Sequence, residues 1–252
     1  MEFIVVIPAR FASMRLPGKP LALIGDKPMI QHVYERCRLA NAARVIIATD
    51  DERIAKAASE FGAEVCMTAA EHQSGSDRLA EVCRTLNFSD DDIVVNVQGD
   101  EPFISPLNIE QVALGLANSK SKMATLSTPI TSDEEVFNSN VVKVVSNNND
   151  EALYFSRAPI AWQRGSFEQK EVKDLSHCQR HIGIYAYRAG FLADYVKLPV
   201  STLEQLESLE QLRVLENGYS IHIEPAKEAP GMGIDTQEDL AQAQITYKLL
   251  QL

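Results

Sequence analysis

The chain has 252 residues, a formal net charge of −11 and 45% hydrophobic residues, enough apolar material for one large α/β domain or two small ones. That acidic balance argues against a general nucleic-acid binder, which needs a broad basic face, and no uncharged apolar run of about 18 residues is present to span a membrane. The four cysteines are scattered without C-x-x-C spacing, so neither a disulfide framework nor a zinc site is expected.

The chain opens directly into a β-rich run, residues 3–7 (FIVVI), with no basic region, apolar core and cleavage site before it; this points to the cytoplasm. Pro8 stops the run, and a loop follows that carries Arg10, Arg15 and Lys19 and is punctuated by Pro17, Gly18 and Pro20. A buried strand emptying into a cationic loop, on an acidic chain, suggests a place for a polyphosphate, since ligands of open α/β sheets sit beyond the carboxyl ends of the strands. A solvated surface loop is the plain alternative.

A helix is expected over residues 28–40, a strand over 44–49, and a helix from Glu52 to Phe61 with Asp50 and Asp51 at its N-cap and Gly62 as its stop. A short strand over 63–67, a helix over 76–86, a buried strand over 93–97 ending in Gln98-Gly99-Asp100-Glu101-Pro102, a helix over 106–118 and a strand over 123–128 complete the first half. This alternation predicts an α/β fold with a doubly wound, mostly parallel sheet. The rhythm then changes: strands over 141–145 and 182–187 flank an irregular segment over 154–173, followed by a helix over 202–216, a strand over 219–224, a loop over 229–235 and a last helix from Thr236. The whole reads as a single domain, with residues 1–140 as a nucleotide-binding core, 141–224 as a smaller antiparallel subdomain for substrate recognition and dimerisation, and 225–252 returning to the core.

Several motifs are excluded. Gly18-Lys19 is followed by Pro20, so no P-loop exists, and neither G-x-G-x-x-G after the first strand nor G-x-S-x-G occurs. Asp100 follows a buried strand and Asp235 follows the turn Gly231-Met232-Gly233. Mg²⁺ is commonly held by one or two carboxylates plus substrate phosphates, so two carboxylates at loop mouths opposite Arg10 and Lys19 suit phosphoryl or nucleotidyl transfer. A turn role for Asp100 and an N-cap role for Asp235 remain open. The heptad from His72 to Arg78 sits at a loop-to-helix junction where N–H groups favour anions, though a plain cap also explains it. His177 and His181 are four apart, but Ile182 to Tyr185 has strand character, so the pair diverges. His181 beside Arg180, with Arg157 and Arg164 upstream, makes more sense as a carboxylate-binding group. The stripe of Leu203, Leu206, Leu209 and Leu212 reads as core, with Glu210 and Gln211 solvated or facing a sugar.

The segments IPARFASMRLPGKPL, HQSGSDRLAEV, NVQGDEP, ALYFSRAPIAW, RHIGIYAYRAGF, LEQLRVLENG and PGMGIDTQEDL together resemble the 3-deoxy-manno-octulosonate cytidylyltransferases, the CMP-KDO synthetases, in order and over nearly the whole chain. The resemblance implies a Rossmann-like sheet, a homodimer, and a Mg²⁺-dependent reaction in which the anomeric hydroxyl of KDO attacks the α-phosphate of CTP to give CMP-KDO and pyrophosphate for lipopolysaccharide synthesis. It implies that Arg10, Arg15 and Lys19 grip the triphosphate, that Ala9, Ser74, Gly75, Arg78 and Gln98 border the rest of CTP, and that Asp100 and Asp235 hold Mg²⁺. Arg10, Lys19, Asp100 and Asp235 would then carry catalysis. Gln98, Arg157, Arg164, His181, Tyr185, Glu210 and Gln211 would form the sugar pocket. Met232 stands where a smaller or polar residue is expected, and the 8-amino analogue of KDO is an alternative sugar. Another CMP-sugar-acid synthetase, a sugar-nucleotide-dependent glycosyltransferase and a non-catalytic nucleotide-binding regulator are the competing readings.

Overall fold

The computed structural model describes residues 1–12, 15–72 and 74–250. Ser13 and Met14 of the cationic loop and Gln73 of the heptad lie outside the described residues. In chain order the elements are β1 (Ile4–Ala9), β2 (Leu23–Ile24), β3 (Lys27–Pro28), α1 (Met29–Arg38), β4 (Arg44–Thr49), α2 (Glu52–Glu60), β5 (Glu64–Met67), α3 (Gly75–Thr85), β6 (Ile93–Asn96) and α4 (Pro106–Asn118). They continue with β7 (Met123–Pro129), α5 (Asp133–Phe137), β8 (Lys143–Ser146), β9 (Ala152–Ser156), β10 (Gln179–Arg188), α6 (Ala189–Tyr195), α7 (Thr202–Glu207), α8 (Gln211–Glu216), β11 (Ile221–Pro225) and α9 (Gln237–Leu250).

The main row of the sheet runs β11-β7-β10-β6-β1-β4-β5. β1 pairs in parallel with β4 and β6, β4 with β5, and β7 with β11. β10 runs against both of its neighbours, β6 and β7. Because residues alternate across a strand, Val5 and Ile7 face a core built with α1, α2 and α4, whereas Ile4 and Val6 face a second core built with α3, α6 and α8. Chain order reverses at β1, which lies between β4 and β6. Such a reversal opens a crevice outside the carboxyl ends of the strands.

Local chemistry explains most boundaries. Asp51 caps α2 by accepting from Arg53 N at 2.9 Å, and Gly62 follows that helix with φ +79°. Ser105 caps α4, with Pro106 at its first position, as a residue without an N–H suits.

Three expectations are corrected. Residues 141–224 do not stand apart, because β10 and β11 are strands of the main row; the part that leaves it is β8 on β10, β9 on β8, and the segment after β9. Within the span read as irregular, β9 continues to Ser156, held in register by β8 rather than by any pattern of its own. The helix expected over residues 202–216 is broken at Ser208, whose φ is +52°. Arg157 Nε donates to Glu207 O at 2.6 Å, and the Glu207 carboxylate accepts from Ser156 Oγ at 2.6 Å and Arg157 N at 2.9 Å. Those contacts take the carbonyl that a continuous helix would use. Leu206 is consequently 76% exposed rather than core, while Leu209 and Leu212 are buried.

Candidate active site

The adjacent ends of β1 and β6 release two loops side by side. The first is closed at its base, where Gly18 N donates to Phe11 O at 3.2 Å. Gly18 has φ +69° and lies under the Phe11 ring, which carries the Arg53 guanidinium 3.3 Å from its centroid. The loop thereby returns Lys19 to the strand ends. Asp235 arrives from far along the chain: a side chain at Gly231 would meet Phe103 O at 2.6 Å, and Ile234 N donates to Asp100 O at 2.9 Å. Only glycine allows that approach.

Lys19 Nζ consequently sits 2.5 Å from Asp100 Oδ2 and 3.0 Å from Asp235 Oδ1, and Arg15 Nη2 lies 3.0 Å from Asp235 Oδ2. Burial works to lower the Lys19 pKa, but Asp100 first and Asp235 second outweigh it and hold the ammonium above the ordinary lysine value. The N-cap role considered for Asp235 falls to its neighbours. Thr236 Oγ1 accepts from Asp239 N at 3.1 Å, and Asp239 Oδ2 accepts from the N–H groups of Asp235 and Thr236 at 3.0 and 2.9 Å. The Asp235 carboxylate is left to the cations. Pro8, Ala9, Arg10, Arg15, Lys19, Gly75, Gln98, Asp100 and Asp235 all line one open cavity of about 480 Å³.

A second cavity of about 360 Å³ shares Arg10, Gly75 and Gln98 with the first. It is lined by Tyr185, Tyr187 and Tyr195 together with Ser76, Asn96, Glu210 and Gln211. Glu210 and Gln211 reach it because the break at Ser208 turns the chain. Tyr195 OH donates to Glu210 O at 3.2 Å, and Ser76 Oγ donates to Glu210 Oε2 at 3.4 Å. Burial raises the Glu210 pKa against the opposing pull of Arg213. Arg213 itself is fixed by two bonds to Glu204, at 2.7 and 2.5 Å. A larger cavity, about 800 Å³, lies under the projecting segment beside β8 and β11, but among the described residues no lysine or arginine lines it.

Not every expected residue is gathered here. Arg78 is 1% exposed and turns inward to Thr68 Oγ1 and, at 3.4 Å, to Asp50 Oδ2, so it lines neither cavity. Ser74 is the helix cap: its Oγ accepts from Asp77 N at 3.1 Å while Asp77 Oδ2 accepts from Ser74 N at 3.1 Å. Gly75, beside it, lines both cavities. The carboxylate-binding group expected around His181 does not assemble. Arg180 lies 3.6 Å from Glu135, Arg157 is spent on the carbonyls of Ser139, Glu207 and Ser208, and Arg164 is exposed on the projecting segment.

His181 lies behind the wall rather than in it. Its ring is enclosed by Phe155 and Tyr185, with centroids 5.0 and 5.3 Å away, and its Nε2 is 3.0 Å from Thr125 Oγ1. Burial lowers its pKa to about 3, so it is a neutral imidazole near pH 7. Arg10 is then the one basic side chain lining the second cavity among the described residues. Met232 also turns away from both cavities and packs beside Leu16, Ile24, Met29 and Ile234, which removes it from the sugar question. Sequence reasoning missed Asn96, Tyr187 and Tyr195. For Asn96 a signal existed, because it ends the buried strand two residues before Gln98.

A crevice at the reversal point of a mostly parallel sheet, with fixed cations and two convergent carboxylates beside a polyhydroxyl-sized pocket, defines a nucleotidyltransferase site. The cytidylyltransferase family profile matches residues 4–223, and the chain belongs to the cytidylyltransferase family. It is 59% identical over 244 residues to a protein of Aeromonas hydrophila named 3-deoxy-manno-octulosonate cytidylyltransferase, covering 95% of this chain and 96% of that one. A Pseudoalteromonas translucida protein of the same name is 58% identical over 98% of both chains. Among solved structures, CMP:2-keto-3-deoxy-manno-octonic acid synthetase complexed with CTP superposes with a TM-score of 0.90 at 42% identity, covering 100% of both chains. A Leptospira borgpetersenii cytidylyltransferase shares the fold, at a TM-score of 0.64 and 17% identity over 99% of this chain and 88% of that one.

Proposed function

We propose that this cytidylyltransferase joins CTP to 3-deoxy-manno-octulosonate, releasing pyrophosphate and forming CMP-KDO for lipopolysaccharide synthesis in the cytoplasm. The observation that carries this reading is the pair of cavities joined at Arg10, Gly75 and Gln98. A triphosphate in the cationic cavity presents its α-phosphate at that junction to a hydroxyl of a sugar held in the other.

In this reading Arg10, Arg15 and Lys19 hold the triphosphate and stabilise the charge that grows on pyrophosphate as the Pα–O bond breaks. Fixed donors of this kind need no reorganisation during the reaction. The tyrosine wall excludes water from the sugar, and Gln98, Glu210 and Gln211 orient it so that its anomeric oxygen faces phosphorus. No enzyme nucleophile is required.

Asp100 and Asp235 fit Mg²⁺. Their carboxylates converge on one point, the Lys19 ammonium, and no group of three His, Cys, Asp or Glu side chains forms a fuller cage among the described residues, as suits an ion that completes its shell with phosphate oxygens. When bound it would neutralise phosphate charge and lower the pKa of a coordinated hydroxyl. We further propose a homodimer, supported by Leu153 and Trp162, exposed by 59% and 56% on β9 and the projecting segment.

The test is pyrophosphate release from a panel of nucleoside triphosphates with KDO, its 8-amino analogue and other sugar acids, with and without Mg²⁺. CTP and KDO with Mg²⁺ should give the highest kcat/KM. CTP binding without pyrophosphate from any acid would overturn the reading. Light scattering of the purified chain reports its oligomeric state.

A further inference from the structure

Asn96 closes β6 and lines the second cavity together with Gln98, two residues on. Tyr185 stands opposite it across the β6–β10 ladder, and a side chain built at Gly75 would come within 3.8 Å of its Nδ2. It therefore forms the floor of the second cavity, one step deeper than the junction with the nucleotide side. Asn96 is 3% exposed, yet its Oδ1 has no hydrogen-bond partner. Gln211, which lines the same cavity, is 4% exposed, and its Nε2 is likewise without a partner. Buried polar groups are paired in the great majority of cases. An acceptor and a donor left open around one cavity, where Ser76 and Tyr195 already spend their protons on Glu210, mark places a ligand fills.

We propose that Asn96 is a specificity-determining residue for the sugar acid, its Oδ1 accepting the proton of a ring hydroxyl. The inference rests on the function proposed above and deepens it. A hydroxyl suits this floor because it can donate to Oδ1 and still accept elsewhere, whereas a methylene would leave the amide buried and unsatisfied, the situation in which polar pockets discriminate most strongly. The ring rather than the extended tail is assigned by distance. Two residues of chain span at most about 7 Å, so a sugar whose anomeric oxygen lies at Gln98 sets its ring, not its far end, over Asn96.

The experiment compares the wild-type protein with N96A and N96S on KDO and on analogues lacking single hydroxyls, with CTP affinity measured by calorimetry. The expected result is a loss of tenfold or more in kcat/KM for KDO in N96A, a smaller loss in N96S, and unchanged CTP affinity. One ring-deoxy analogue should be rejected tenfold or more by the wild type but no longer distinguished from KDO by N96A, and removal of the terminal hydroxyl should cost both proteins the same factor. Equal losses on every analogue, an unchanged kcat/KM, or weakened CTP binding in both variants would overturn the assignment. If the wild type turns over a different sugar acid, the proposed substrate fails and the comparison is made on that acid; if it turns over none, both proposals fail.

Discussion

The state of His181 yields a prediction with a sign and a size. Its enclosure between Phe155 and Tyr185 keeps the folded imidazole neutral down to about pH 3, against 6.5 for a free side chain. Between those values the unfolded chain binds a proton that the folded chain refuses, so stability falls as pH drops through 6.5 and continues to fall toward 3. At 1.36 kcal/mol per pH unit, the descent from pH 6.5 to pH 5 costs about 2 kcal/mol through this residue. H181Q is the appropriate perturbation, because the Gln amide nitrogen can take the place of Nε2 toward Thr125 Oγ1, now 3.0 Å away, and does not titrate. Urea unfolding of both proteins, followed by far-UV circular dichroism at one protein concentration from pH 7.5 to pH 4.5, gives the difference. Wild type should lose about 2 kcal/mol more than H181Q between pH 6.5 and pH 5. Parallel curves would refute the claim that the imidazole is held neutral, and with it the conclusion that, among the described residues, Arg10 alone brings positive charge to the sugar cavity.

Other outcomes follow from single contacts. D100N removes the carboxylate 2.5 Å from Lys19 Nζ and should lower kcat about 100-fold, the usual cost of losing one fixed electrostatic group, with the circular dichroism spectrum unchanged; near-normal kinetics would dismiss its role. G231A places a methyl group 2.6 Å from the Phe103 carbonyl oxygen, forcing the loop that carries Asp235 outward. Its kcat/KM should fall tenfold or more, at a stability cost of about 1–3 kcal/mol, and unimpaired turnover would contradict the close approach. E204A strips the bidentate partner from Arg213 and breaks the Ser201–Glu204 capping box of α7; calorimetry should register a loss of about 3 kcal/mol, against under 1 kcal/mol if the pair behaves as a surface ion pair.

What the sequence disclosed depended on whether the cause was local. β4 and α4 occupy the expected residues, Arg44–Thr49 and Pro106–Asn118, because a run of β-branched residues and a Ser-Pro start act within their own segments. The insertion of β10 between β6 and β7 has no such local cause. Its apolar pattern fits either orientation, and the pairing is settled by partners far along the chain. The break at Ser208 was hidden for the same reason: the leucine spacing is helical throughout, and Arg157, 51 residues away, decides otherwise. Site residues divide in the same way. Lys19 and Asp100 were visible as charged residues next to glycines, and Asp235 as an acid closing a glycine-rich turn, whereas Arg78 read as a ligand because sequence does not reveal that Thr68 and Asp50 have already claimed it. Asn96 was overlooked by the same token, since an unpaired amide is a property of its surroundings.

Charge explains why so acidic a chain needs this arrangement. Arg10, Arg15 and Lys19 face Asp100 and Asp235 around the first cavity, three positive charges against two negative, a balance of +1. That balance draws a triphosphate to the only kind of place where a chain of net charge −11 would tolerate it, but it does not neutralise the several charges such a ligand carries. The two carboxylates are the costly part of the site, and cations alone would bind phosphate more tightly without them. Their presence is intelligible in the proposed reading, in which they would hold a divalent cation shared with the phosphates that would add two positive charges to the site. Lys19, held between them at 2.5 and 3.0 Å, keeps the pair of carboxylates from repelling one another in the free protein. The second cavity has the opposite character: one arginine at its mouth, a neutral histidine behind it, and a glutamate whose pKa burial raises. Its selectivity must therefore come from hydrogen bonds to hydroxyls rather than from net charge, which is why an open amide on its floor carries more information than another cation would.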